Sequence, residues 1–232
     1  MRLKNIAYLF IIGLAIASIW ACNKTGDNVP ATPPVAYLNV VDMVTDIRGI
    51  DFYLSGTRQN TNSAIYLYNS SGYTAVTAGS QQYQFKSDTD RTLLADLQLN
   101  TGKADSAYTV VLAGQQGTNT ISPIFIGDQF LIDTVSTHAI VRLVQASPGT
   151  QSYDFFVGDT LSFKNKAYKA YTGFQGVGAG KKNVKVTLAG TNTVVFSGTA
   201  IIQPRGYYTF FTKGTLNGTG NNAFGVSVNL SK

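Results

Sequence analysis

Asp51 and Asp154 stand among aromatic residues in two similar stretches, "GIDFYLSGT" and "SYDFFVGDT". An acid repeated at one place raises the prospect of acid–base chemistry. Such chemistry needs a second acid or base held at a defined distance. Only aromatic and apolar residues recur beside these two, so each Asp is expected to bond a loop backbone or the neighbouring strand. "SDTDRTLLAD" places Asp88, Asp90 and Asp96 together, with the Asp-x-Asp spacing that suits calcium. The Gly and terminal Glu of an EF-hand loop are missing, and a polar hairpin loop is the better reading. There is no Gly-x-Ser-x-Gly elbow, P-loop or dinucleotide fingerprint. The single Cys and single His exclude an internal disulfide and a Cys/His zinc cluster. The chain is therefore expected not to be an enzyme, with no catalytic residue, metal or cofactor.

Binding is the alternative. "IYLYNSSGY" supplies Tyr66 and Tyr68, and "AYKAYTGF" supplies Tyr168 and Tyr171. Exposed Tyr offers an apolar face that stacks on sugars. Lys164, Lys166, Lys169, Lys181 and Lys182, with Lys185, form a basic concentration. Charge divides unevenly. Val35–Asp133 holds five basic and nine acidic residues, net −4, and His138–Lys232 ten and two, net +8. An anionic glycan, lipopolysaccharide or an acidic partner would be attracted to the second half. The plainer reading is a solvated face plus complementarity between the two halves. Nucleic acid is not expected as a partner, because no RNA-binding or helix-turn-helix motif occurs. Three Asp-Ser/Thr triplets, at Asp105, Asp133 and Asp159, resemble an envelope-protein O-glycosylation pattern.

The elements that must position these residues are strands. All twelve acidic residues are Asp, a turn and cap residue, and Glu, a helix former, is absent. Gly, Asn, Thr, Tyr, Phe and Val suit strands and the turns between them. Ala36–Thr57 lies over Ala139–Thr160, Ser71–Phe85 over Thr172–Val186, and Tyr108–Gly114 over Tyr208–Gly214. The offset drifts only from 103 to 100, so the chain contains an internal duplication. Strands about every ten residues predict antiparallel sandwiches. Ile50, Phe52 and Leu54 take one face of theirs. Tyr73/Phe174 and Tyr108/Tyr208, aromatic in both copies, are assigned to the core. Arg142 falls on the solvent-side alternation of its strand. The fold class is all-β, with two tandem antiparallel β-sandwich (Ig-like) domains over 35–134 and 137–232.

"ASPGTQSYDFFVGD", "AYTGFQGVGAGKKNVKV" and "GYYTFFTKG" resemble the tandem β-sandwich domain of domain-of-unknown-function family 4397. Ala146, Ser147, Pro148, Asp154 and Phe156 match its opening, with Gln145 where His is common. The first copy keeps Asp51, Tyr53 and Gly56. The resemblance implies an exported or surface-attached protein, commonly an envelope lipoprotein, with no established activity. The N-terminus agrees with export. Arg2 and Lys4 precede an apolar run, Ile6–Trp20, too short for a membrane span and suited to a signal peptide. "IWAC" resembles a bacterial lipobox, with the bulky Trp20 as a departure. That resemblance implies a cleaved lipoprotein signal over 1–21 and acyl chains on Cys22, which anchor stably when two or more are buried. Residues 22–34, rich in Pro and small polar residues, read as a flexible tether. The expected protein is a lipid-anchored module of the cell envelope, at the outer membrane and facing either the periplasm or the surface, that engages an envelope protein or surface partner. The alternative is a carbohydrate-binding accessory lipoprotein of a glycan-uptake system.

Overall fold

A computed structural model describes residues 33–130 and 137–231. The described residues are all-β apart from a 3-10 turn at Gly220–Asn222. The first copy contains β1 (Val35–Val44), β2 (Gly49–Leu54), β3 (Thr57–Arg58), β4 (Ile65–Tyr66), β5 (Ser70–Thr77), β6 (Ser80–Ser87), β7 (Leu93–Asn100), β8 (Ala107–Gly114) and β9 (Ser122–Asp128). The second contains β10 (His138–Gln145), β11 (Tyr153–Val157), β12 (Thr160–Lys166), β13 (Gln175–Gly178), β14 (Gly180–Leu188), β15 (Val194–Ile202), β16 (Tyr207–Lys213) and β17 (Gly225–Leu230).

Each copy is two sheets. The first pairs β5-β1-β8-β9 and β3-β2-β6-β7, with β4 also on β2; the second pairs β13-β10-β16-β17 and β12-β11-β14-β15. The duplication is kept down to register. Ile50 faces Ser87 and Phe52 faces Phe85, as Tyr153 faces Leu188 and Phe155 faces Val186. One ladder in each copy departs from the antiparallel expectation. β1 runs parallel to β8 and β10 parallel to β16, with Tyr37 opposite Ala107 and Ile140 opposite Tyr207. The opening strand thus lies beside a strand about 70 positions later, and the intervening chain builds the second sheet and returns one strand, β5 or β13, to the first. Gly114 and Gly214 end β8 and just follow β16, both at positive φ. A β-carbon on Gly214 would stand 2.1 Å from the Ala223 carbonyl oxygen, so this shared glycine is sterically required.

Three hydrophobic cores result. Leu38, Phe52, Tyr83, Phe85 and Leu112 fill the first sandwich. Leu143, Phe155, Val186 and Phe210 fill the second. The third joins them: Val41, Met43, Val111, Ala113, Ile124 and Ile126 of the first copy pack on Val144, Ala146 and Phe211 of the second. β1, β8, β10 and β16 are therefore buried on both faces. That is why they read as near-continuous apolar runs such as "TVVLA" rather than as alternation.

Arg142 lies in this seam and not toward solvent; its side chain is 2 % exposed. Its guanidinium pairs with the fully buried Asp128 carboxylate. Nε donates to Thr209 Oγ1 at 2.9 Å and a terminal nitrogen to Thr109 Oγ1 at 3.2 Å. The guanidinium carbon sits 4.5 Å from the centre of the Phe174 ring. Asp128 also accepts from Tyr73 at 2.7 Å and Thr109 at 2.6 Å. Tyr73 and Phe174 belong to an aromatic group with Phe130 and Tyr207 at this seam, outside both sandwich cores.

Removing one member of a buried pair strands the other's charge, at about 3–5 kcal/mol. Arg142→Met is expected to lower unfolding stability by about that much, read as a lower urea midpoint. Arg142→Met with Asp128→Leu recovers most of the loss, because no buried charge is left. An unchanged midpoint for Arg142→Met would show that the pair does not hold the seam.

Candidate functional site

The two repeated acids are tied into the scaffold. Asp154 accepts the backbone N–H groups of Asn165 at 2.7 Å and Gly190 at 3.0 Å. Asp51 accepts from Arg58 at 2.5 Å, from Asn60 at 3.1 Å and from Arg91. Among the described residues, the partners of Asp154 are backbone amides and those of Asp51 are Arg and Asn side chains. The acidic loop is dispersed: Asp88 pairs with Arg48 at 2.5 Å, whereas Asp96 on β7 accepts from Gln82 and Gln84 on β6.

The tyrosines sit on a duplicated loop. Tyr68 N–H donates to the Asp42 carbonyl and Lys169 N–H to the Gln145 carbonyl, both at 2.9 Å. Asp42 and Gln145 N–H groups return bonds to Asn69 and Ala170. Tyr68 and Lys169, equivalent in the two copies, both hold positive φ. The loop preceding β5 and β13 is thus one backbone shape pinned to one buried residue. Asp42 Oδ1 accepts Val44 N–H at 2.9 Å, and Gln145 Oε1 accepts Ser147 N–H at 2.8 Å. The second Asp42 oxygen, buried, has no partner. Burial pushes the Asp42 carboxyl up to about 8; Asp88 adds to the rise and the Val44 N–H opposes it.

Exposure separates the four tyrosines. Tyr66 and Tyr171 are about half exposed, at 47 % and 49 %. Tyr68 and Tyr168 are not the exposed platforms expected; they pack against the seam core. Tyr68 donates to the Asn221 carbonyl, and Lys213 Nζ lies 3.5 Å from its ring centre. Tyr168 OH bonds the Ala113 and Thr120 carbonyls at 3.2 and 3.3 Å. Burial raises both phenols to about 12. Alternation along one strand does not reveal a second domain covering the far face, so their aromatic side chains gave no warning of this.

The lysines divide as well. Lys164 and Lys166 ride on β12, and Lys169 Nζ rests 5.6 Å from the Tyr168 ring. Lys185 covers Phe156 at 4.3 Å on the outer sheet face. Lys181 and Lys182 line a groove of about 740 Å³ with Val157, Asp159, Thr160, Ser162, Gln175, Gly176, Gly178 and Asn183. It opens between β12 and β13, the edges where the two sheets of the second sandwich part. The first sandwich has a groove along the same edge, about 470 Å³, between the β3–β4 segment and β5. Tyr66, Asn60, Asn62, Ser70, Ser71 and Thr74 line it, without a charged residue. Sequence reading missed these polar lining residues. The glycines before "KK" and the polar run "RQNTNS" were the available signals. Cys22, the expected lipid-anchor residue, lies outside the described residues.

The fold and grooves define an all-β protein of two fused sandwiches with polar edge grooves. Residues 139–228, from β10 into β17, match the family described as "Domain of unknown function (DUF4397)". No curated protein matches the chain. Among solved structures the chain is similar to CBMbc (family CBM26) from Eubacterium rectale Amy13K, in complex with maltoheptaose. Identity is 10 %, coverage is 83 % of this chain and 95 % of that one, and the TM-score is 0.29. A likeness of that size supports no statement about ligand.

Two expectations follow from the loop. In the unfolded chain Asp42 ionises near 4, and in the folded chain at about 8. Between these values folding takes up a proton. The stability linked to Asp42 is full below about pH 4 and is lost as pH rises through about 8. Asp42→Asn is expected to flatten that decline and to melt above the wild type at pH 8. Equal slopes for both proteins would refute the assignment. Separately, Tyr68→Ala and Tyr168→Ala are expected to lower the melting temperature, at about 3 kcal/mol each for a packed aromatic. Tyr66→Ala and Tyr171→Ala should leave it nearly unchanged, and the reverse order would contradict the placement.

Proposed function

We propose that the protein is a lipid-anchored, non-catalytic module of the cell envelope, held at the outer membrane, that engages an envelope protein or other surface partner. The observation that carries this reading is the pair of polar edge grooves on a body fused through a third core. Their lining is rich in hydroxyl, amide and backbone groups, which suit holding a polar ligand. The acids most suggestive of chemistry, Asp51 and Asp154, are spent on strands and loops. The anchor rests on the lipobox-like "IWAC" and the tether that follows it. A second reading, carbohydrate capture for a glycan-uptake system, is favoured by the half-exposed Tyr66 beside amide and hydroxyl side chains in the first groove.

Fractionation tests the anchor. The wild type is expected in the outer-membrane fraction, with a mature N-terminus at Cys22 carrying the mass of acyl chains. Cys22→Ser is expected in the soluble envelope fraction. An unmodified Cys22, or unchanged fractionation of the variant, rejects anchoring. For the second reading, a glycan array should show binding that Tyr66→Ala abolishes without change in melting.

A further inference from the structure

We propose that the groove between β12 and β13 is a binding site for an acidic polysaccharide, whose carboxylate or sulfate groups are held by Lys181 and Lys182. This rests on the reading of the chain as a binding module and names the ligand class for its second groove.

The lysines are placed for it. Both start on β14, beside the groove floor. Lys182 is half-buried, and its chain runs past two glycines. A β-carbon on Gly158 would stand 3.9 Å from its Cδ, and one on Gly178 would stand 3.6 Å from its Nζ. The glycines leave the ammonium uncovered along the groove. Neither lysine enters any ion pair among the described residues, although most of the other Lys and Arg described there have a carboxylate or an aromatic ring as partner. Arg142, Arg58, Arg91 and Arg48 sit on carboxylates, and Lys185, Lys169 and Lys213 on aromatic rings. Asp159 is the one acid on the lining, so the groove carries a net positive charge.

The rest of the lining chooses the ligand class. Thr160, Ser162, Gln175 and Asn183 present hydroxyls and amides, and Gly176 and Gly178 leave bare backbone. These groups match a hydroxyl-rich ligand. A protein partner is usually anchored by a large buried aromatic or Arg in a desolvated pocket, and the groove offers no apolar pocket beyond Val157 and Val177. A small apolar ligand needs mostly hydrophobic walls, which are also lacking. The duplication adds a contrast. The first-copy counterparts of Lys181 and Lys182 are Ser80 and Gln81. The shared scaffold does not need lysine there, and the charge belongs to the second copy alone.

Titration calorimetry on the whole mature chain, with polygalacturonate, dextran sulfate and uncharged dextran as probes, tests the site. Binding to at least one acidic polymer is expected, with none to dextran, and it should weaken as salt rises. Lys181→Gln/Lys182→Gln should weaken that binding about tenfold, the loss of about one charge-assisted bond, with melting unchanged. Lys164→Gln/Lys166→Gln removes equal charge from the adjacent strand and should weaken it much less. Equal loss in the two double variants would replace the groove by diffuse attraction to net charge. Absence of binding to either acidic polymer would overturn the proposal, while membrane fractionation would still decide the anchor independently. Which acidic polymer binds distinguishes carboxylate from sulfate recognition.

Discussion

The arrangement depends on one buried cation. Arg142 reaches from the second copy into the first and meets Asp128, Thr109, Thr209 and the Phe174 ring. Taking both charges out of water costs several kcal/mol each, and only close pairing with further hydrogen bonds offsets that. The seam meets the condition. All three guanidinium nitrogens are engaged, and both Asp128 oxygens accept. An apolar seam is tolerant of sliding, whereas a charged pair at its centre admits one register. We regard Arg142 as what fixes the two sandwiches in a single docking, with the surrounding Val, Ile and Phe residues supplying most of the favourable burial.

The duplication separates requirements of the scaffold from later differences. Each copy pins its loop before β5 or β13 to a polar residue near the end of its first strand. The first uses a carboxyl, Asp42, and the second an amide, Gln145. A carboxyl whose pKa stands at about 8 is protonated at neutral pH, so it offers nearly the same neutral group as the amide. The two copies therefore solve one hydrogen-bonding problem with side chains that look unlike in sequence. Burial erases the difference between them.

Much of the frame was legible because strand chemistry is local. Turn glycines, the alternation of "GIDFYL" and the offsets of about 100 residues give the strands and their equivalence, and the registers follow the same alignment. What was not legible depends on the second face of a sheet. Arg142 looks solvent-facing when only one face of β10 is taken to be covered, and Tyr68 and Tyr168 look exposed for the same reason. A physical clue was present: "LNVVDMV" and "TVVLAG" are too continuously apolar for strands with one wet face. The parallel ladders were harder. Alternation carries no strand direction, and the partner of β1 is β8, far along the chain.

The grooves lie where the copies are least alike. In the first, the edge segment after β2 is broken into Thr57–Arg58 and Ile65–Tyr66, with Asn60 bonding back to Ile50, Asp51 and Ser63. In the second, the same segment is one strand, Thr160–Lys166. The strands beneath keep the same registers in both copies, so this difference costs the core nothing. An edge strand is hydrogen-bonded on one side only, and its sequence is less constrained than that of a central strand. A sandwich that must preserve β1, β2, β6 and β8 to fold retains freedom along this edge. That freedom accounts for one scaffold bearing a neutral, tyrosine-flanked groove in one copy and a lysine-lined groove in the other.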